Sequence, residues 1–95
     1  MFLSAYHYDG DPAALVTAYD VMRRGFPPDT FELHACVVTG SGITVYDACP
    51  TREVFEGFSV SPEFRGAVAA AGLPAPRIEP LGEVHHAVAG TVVLR

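Results

Sequence analysis

Two side chains in this sequence have a clear capacity for chemistry: His34 and Asp47, at the ends of the stretch HACVVTGSGITVYD. A carboxylate beside an imidazole fixes its tautomer and favours its protonated form, which is half of a general-base arrangement. Whether the two meet depends on the turn between them. Gly40-Ser41-Gly42 separates two β-branched runs and is a strong hairpin signal. An even loop, either Gly40-Ser41 or Thr39 to Gly42, sets His34 directly opposite Asp47 on one face. Cys36 then faces Val45, and Val38 faces Ile43. An odd loop of three residues sends His34 and Asp47 to opposite faces. The even register collects more apolar pairs and is the one expected. Two roles for the pair remain open: a base held by its orienting acid, or a polar pair that satisfies itself or stitches a subunit interface.

Several other chemistries find no support. Ser41 sits at the hairpin tip, far along the strand from His34, so no hydrolytic triad is expected. The six basic residues are all Arg, and the net charge is −5. Without Lys there is no Schiff-base chemistry, and without a basic patch no nucleic-acid partner is expected. His7, His34, His85, His86, Asp47 and the two cysteines are metal-ligand types, but none has ligand spacing. His85 and His86 are adjacent on an expected strand and so point to opposite faces. The expectation is no metal and no cofactor. DGDP lacks the further ligands of a calcium loop and reads as a helix cap. Cys36 and Cys49 are offset by about four residues in a close hairpin, roughly 13 Å at strand rise. That is too far for a disulfide, and both read as buried small apolar residues suited to a reducing compartment.

The aromatic set divides in two. Phe55, Phe58 and Phe64 have the spacing of a helical core face. The tyrosines are ambiguous, because a buried hydroxyl needs a partner. Tyr6 and Tyr46, with His85, are the candidate polar wall groups of a ligand site around His34.

The elements that would position these groups follow from local signals. FLSAYHY, Phe2 to Tyr8, is a strand. Asp11 and Pro12 open a helix with Leu15, Tyr19 and Met22 on one stripe, and Gly25 stops it. Phe31 to Thr39 and Ile43 to Cys49 form the hairpin. Thr51 caps a further helix, which Ser61 and Pro62 restart and Gly72 closes. RIEPLGEVHHAV is a last strand, broken early by Pro80 and Gly82 in a manner that suits an edge. AGTVVLR is a β-prone tail expected to extend the sheet or cross to a partner. The order β-α-β-β-α-β is the ferredoxin-like split βαβ, an α+β class in one domain over residues 1–95. Both helices then cover one face of an antiparallel four-stranded sheet. Yet the strands are apolar at nearly every position, as strands buried on both faces are. A second copy of the chain is the economical cover, giving a homodimer. MFLSAYHYDG has no basic leader region and no stretch is long enough to span a membrane, so a cytoplasmic location is expected.

The strand ELHACVV with its central His, the Gly turn, VYDAC, TREVFEGF, AGLPAP and the closing VHHAV together resemble the dimeric α+β-barrel superfamily. The resemblance is to the small proteins grouped with antibiotic-biosynthesis-type monooxygenases, nearest to bacterial members of unassigned function, and it covers nearly the whole chain. It implies a dimeric barrel of ferredoxin-like units. The superfamily hosts cofactor-free oxygenases, haem-degrading enzymes, isomerases and proteins without known chemistry. The haem-degrading branch relies on a His in the second helical segment. Residues 51–72 hold no His and the chain has no Trp, which argues against that activity. Two functions stay in view: an enzyme oxidising or isomerising a small aromatic or polyketide-like molecule without cofactor, with His34 as base and Asp47 as orienter, or a non-catalytic homodimer binding a ligand or partner. A cavity beside His34 favours the first; a closed core favours the second.

Overall fold

The computed structural model describes residues 1–94. Strand β1 (Phe2–Asp9) leads to helix α1 (Pro12–Arg23), then strands β2 (Leu33–Val38) and β3 (Gly42–Cys49), helices α2 (Arg52–Ser59) and α3 (Pro62–Ala71), and strand β4 (Arg77–Glu83). Two short strands, β5 (Val88–Ala89) and β6 (Val92–Val93), follow. The main sheet is antiparallel, in the order β2-β3-β1-β4, an α+β arrangement compatible with a ferredoxin-like fold.

The helix boundaries follow their caps. The Asp11 carboxylate accepts from Ala14 N at 3.0 Å, with Pro12 at the first helical position. Thr51 and Ser61 hydroxyls accept from Val54 N and Phe64 N at 3.2 Å each. Ser61 and Pro62 break the second helical region into α2 and α3. Gly72 ends α3 in the left-handed conformation, φ 83°.

Alternation along the strands sorts the sheet into two faces. Phe2, Ser4, Tyr6 and Tyr8 of β1 and Ile43, Val45, Asp47 and Cys49 of β3 are all buried, on the face that meets Leu15, Tyr19, Phe55, Phe64 and Val68 from the helices. The opposite face carries the rows Leu33–Ala48–Leu3 and Ala35–Tyr46–Ala5. On this open face His7 Nδ1 pairs with Thr44 Oγ1 at 3.0 Å, and His7 Nε2 with Glu79 Oε1 at 2.9 Å.

The C-terminal part departs from expectation. RIEPLGEVHHAV is not one strand. β4 ends at Glu83, and a β-bulge where β1 passes from Leu3 to Ser4 marks the Pro80–Gly82 stretch. β4 is an edge strand, where a proline costs no ladder hydrogen bond to a second neighbour. His85 and His86 lie in a bend between β4 and β5, so strand alternation does not govern where they point. The tail does not extend the main sheet. Val92 and Val93 pair with Ala89 and Val88 in a separate two-stranded ribbon, with Val88, Val92 and Val93 54–64% exposed. Arg95, the last residue of that tail, lies outside the described residues. Cys36 and Cys49 are free thiols, Cys49 buried and Cys36 only half-buried.

Gly42 locks β3 against β1. A Cβ there would sit 2.0 Å from the Tyr8 carbonyl oxygen, whereas one at Gly40 meets nothing within 4 Å. Gly42→Ala should therefore lower stability by about 1–3 kcal/mol through forced backbone displacement. Gly40→Ala should stay within about 0.5 kcal/mol of wild type. Denaturant melts of the two variants check the contrast, and equal effects would show that the hairpin tolerates a shift of β3.

Candidate functional site

The site is built on one cross-strand row. Ser4 of β1 pairs with Asp47 of β3, and Asp47 with His34 of β2. The hairpin has the even register, with Cys36 opposite Val45 and Val38 opposite Ile43. His34 and Asp47 consequently share the helix-covered face. His34 Nδ1 is hydrogen-bonded to Asp47 Oδ1. The other ring nitrogen, Nε2, is 2.5 Å from the Tyr19 hydroxyl on α1. A carboxylate accepts only, so with Asp47 ionised Nδ1 is the donor. Nε2 is then the free base position and takes the Tyr19 O–H as acceptor. Carboxylate, imidazole and phenol thus form a chain, and two rings run nearly parallel to the imidazole. Tyr19 does so at a centroid distance of 5.9 Å and an angle of 9°, and Phe31 at 5.6 Å and 15°.

Burial is graded along this chain. The Asp47 side chain is 4% exposed and that of His34 32%, so the imidazole is reachable from solvent and the carboxylate is not. Burial pushes the Asp47 carboxyl above its ordinary value, against the opposing hydrogen bond and charge of His34. Burial likewise raises Tyr19, and holds Tyr6 and Tyr8 well above the usual phenol range, with the Asp47 charge adding to both. All three phenols are therefore donors at neutral pH.

A cavity of about 310 Å³ opens beside the chain, between the sheet, α1, the 24–32 connection and the α2–α3 pair. Tyr6, Tyr8, Tyr19, Arg23, His34 and Asp47 supply its polar lining, and Phe26, Phe31, Phe58 and Phe64 much of its apolar wall. Its volume falls at the small end of ligand pockets, roughly 300–1,000 Å³. One lining group is unsatisfied. Tyr6 is 1% exposed, and its hydroxyl has no hydrogen-bond partner among the described residues. The neighbouring Ser4 hydroxyl comes close enough to the phenol to moderate its shift but does not meet it in hydrogen-bonding geometry, and its own proton goes to the Asp47 carbonyl at 3.3 Å. A buried hydroxyl left unpaired costs about 1–3 kcal/mol.

The structure thus brings His34, Asp47 and Tyr6 to one cavity and leaves two candidates outside it. Tyr46 lies on the open face, in register with Ala5 and Ala35, because it is one residue from Asp47 on the same strand. His85, in the bend after β4, is not among the lining residues. Tyr19 and Tyr8, noted in the sequence only as members of an ambiguous aromatic set, are both at the site. Tyr19 carried a signal, since it stands on the apolar stripe of α1 with a hydroxyl that has to find a partner in the core. Phe26, in a connection without periodicity, carried none, and Phe31, expected to open the hairpin strand, lies ahead of β2, which begins at Leu33. Among the described residues no three or more His, Cys, Asp or Glu side chains converge as a metal site, and no helix is long and apolar enough to cross a membrane. Comparisons with protein-family models, curated proteins and solved structures each return no match.

The raised Asp47 carboxyl has a consequence for pH. The folded chain holds this proton more tightly than the unfolded chain, so between the ordinary and raised values folding takes up a proton. Stability then falls as pH rises through that window. Asp47→Asn removes the titration. The Tm of wild type minus that of Asp47→Asn should decline as pH rises from the ordinary value of 3.8. A difference that grows with pH in a thermal-melt series would mean that His34 outweighs burial.

Proposed function

We propose that the chain binds a small, largely apolar molecule in the His34 cavity and moves a proton on it without a cofactor. The observation that carries this reading is the cavity of about 310 Å³ bordered by the Asp47–His34–Tyr19 chain. A polar pair serving only to satisfy itself requires no adjoining cavity. The roles follow from the contacts. Asp47 holds the His34 tautomer and stabilises the imidazolium that forms. His34 Nε2 takes the proton, received through the Tyr19 hydroxyl. Tyr19 passes its own proton to Nε2 as its oxygen accepts one from the ligand. The phenol is regenerated in the same event and never persists as phenolate, which its burial disfavours. The aromatic walls suit a flat, ring-bearing ligand. The chemistry is that of an isomerase or tautomerase. Deprotonation of an activated ring is also the first step open to a cofactor-free oxygenase.

Exchange of the acidic C1 protons of 2-tetralone into deuterium oxide tests the proton transfer directly. The wild-type chain should accelerate exchange, and His34→Ala and Tyr19→Phe should each reduce it by about 10²-fold or more, the range of general-base contributions. Wild-type and His34→Ala chains giving the same exchange rate would leave the non-catalytic binding reading in place.

The same proposal includes a homodimer of the dimeric α+β-barrel type, packed through the open sheet face. Supporting it are the apolar groups that face leaves without a helical cover. Leu3, Tyr46 and Leu33 are half-buried, and Val37 is 44% exposed. The exposed valines of the β5–β6 ribbon supply a second apolar surface. Sedimentation at micromolar concentration should give about twice 10.1 kDa, and deletion of residues 90–95 should weaken the association. A monomer under these conditions, or an unchanged dimer dissociation constant after the deletion, counts against it.

A further inference from the structure

We infer that the Tyr6 hydroxyl is the anchoring donor of the cavity and that the ligand it awaits is neutral and carries a carbonyl or equivalent oxygen acceptor at one end of a flat apolar body. The inference rests on the reading of the cavity as a binding site, and adds to it the class of molecule bound.

The hydroxyl itself is the first ground. Tyr6 stands on the central strand β1, 1% exposed, and lines the cavity. It is the one buried side-chain polar atom among the described residues without a hydrogen-bond partner. The polar groups around it are engaged with one another. The Ser4 hydroxyl donates to the Asp47 carbonyl, the Asp47 carboxylate is bonded to His34, and the Tyr19 hydroxyl to the other side of the same ring. No acceptor among the described residues stands in hydrogen-bonding geometry to the phenol, so its one proton is left undonated. Burial and the nearby carboxylate keep it protonated, so what it lacks is an acceptor.

The charges supply the second ground. The lining contains two basic side chains, Arg23 and His34. Arg23 Nε is bonded to Asp20 Oδ1 at 2.8 Å, and His34 to Asp47. Neither leaves a surplus positive charge for a carboxylate or phosphate, and the buried Asp47 opposes any anion. A cationic ligand would find Asp47 already committed. The remaining wall is aromatic and aliphatic. A neutral ring system with an oxygen acceptor satisfies the orphan hydroxyl without bringing in an uncompensated charge.

Tyr6→Phe separates this role from a structural one, because the two predict opposite signs. Removing a hydroxyl that has no partner should leave the melting temperature of the free chain unchanged or raised. The probes are 2-tetralone, its hydrocarbon counterpart tetralin, and 2-naphthoate, each titrated into wild type and variant. Wild type should bind the ketone more tightly than tetralin and the naphthoate weakest. Tyr6→Phe should weaken ketone binding about fivefold to tenfold, one hydrogen bond's worth, and leave tetralin binding unchanged. Chains labelled with ¹³C at tyrosine Cζ should show one signal of the wild type moving with the ketone and not with tetralin. Equal ketone affinity in Tyr6→Phe and wild type overturns the inference alone, and so does naphthoate binding as tight as the ketone. Absence of binding of both tetralone and tetralin to wild type overturns the cavity reading and this inference with it. Ketone binding that needs Tyr6 without proton exchange that needs His34 keeps the inference and removes the catalytic role.

Discussion

The pairing of His34 with Asp47 across the β2–β3 hairpin is the constraint on which the site depends. Side chains alternate along a strand, so a slip of one residue would carry every member of β2 to the other face. His34 would then lie on the open side of the sheet, away from Asp47, Tyr19 and the cavity. Two features hold the register. Cys36 pairs with Val45 under the helices, and Val38, itself exposed, pairs with the buried Ile43. Gly42 lets β3 approach the Tyr8 carbonyl more closely than any side chain permits, which fixes β3 against β1 and sets Ser4 opposite Asp47. The row Ser4–Asp47–His34 is set by strand pairing alone, and α1 completes it by bringing Tyr19 to the imidazole.

The cavity beside this row has an origin in ring geometry. Phe31, Phe58 and Phe64 meet in sequence, at centroid distances of 5.2 Å and 4.8 Å and interplanar angles of 86° and 42°. Rigid rings held at these angles cannot slide inward to fill a space as a flexible aliphatic chain does. Pro27 and Pro28, which also line the cavity, stiffen the connection that carries Phe26 and Phe31. The rings and prolines on these walls do not collapse into the space, and its lining forgoes the dispersion contacts of a filled core.

How far the sequence discloses this differs by level. Helix starts were legible because caps are local: Asp11-Pro12, Thr51 and Ser61-Pro62 each act on the next turn alone. The hairpin register is legible because the apolar pairs prefer an even loop. Beyond β4 the reading failed, because β propensity in VHHAV and TVVLR says that strands form and not what they pair with. Those residues pair with each other. The site shows the same division. His34 and Asp47 are coupled by the hairpin, and residues from both ends of one turn are within reach of sequence reasoning. Tyr46 and His85 stand out in the sequence by residue type alone. Alternation next to Asp47 is enough to place Tyr46 on the far face, whereas the placing of His85 depends on where β4 ends. The apolar wall from the 24–32 connection depends on a loop path that no periodicity encodes.

The polar groups of the cavity also differ in kind. The imidazole of His34 keeps contact with solvent, so a proton it gains has somewhere to go. Tyr6 is dry and unpaired. Burial keeps Tyr6, Tyr8 and Tyr19 protonated, so none of them holds negative charge cheaply, and charge developing on a ligand has to be met by a donor already in place. A hydroxyl that is unsatisfied in the free protein has broken no bond within the chain to meet it, and so gives its whole hydrogen bond to the ligand. The unpaired phenol that weakens the free fold is for that reason the group best prepared to hold a ligand's oxygen while His34 handles the proton.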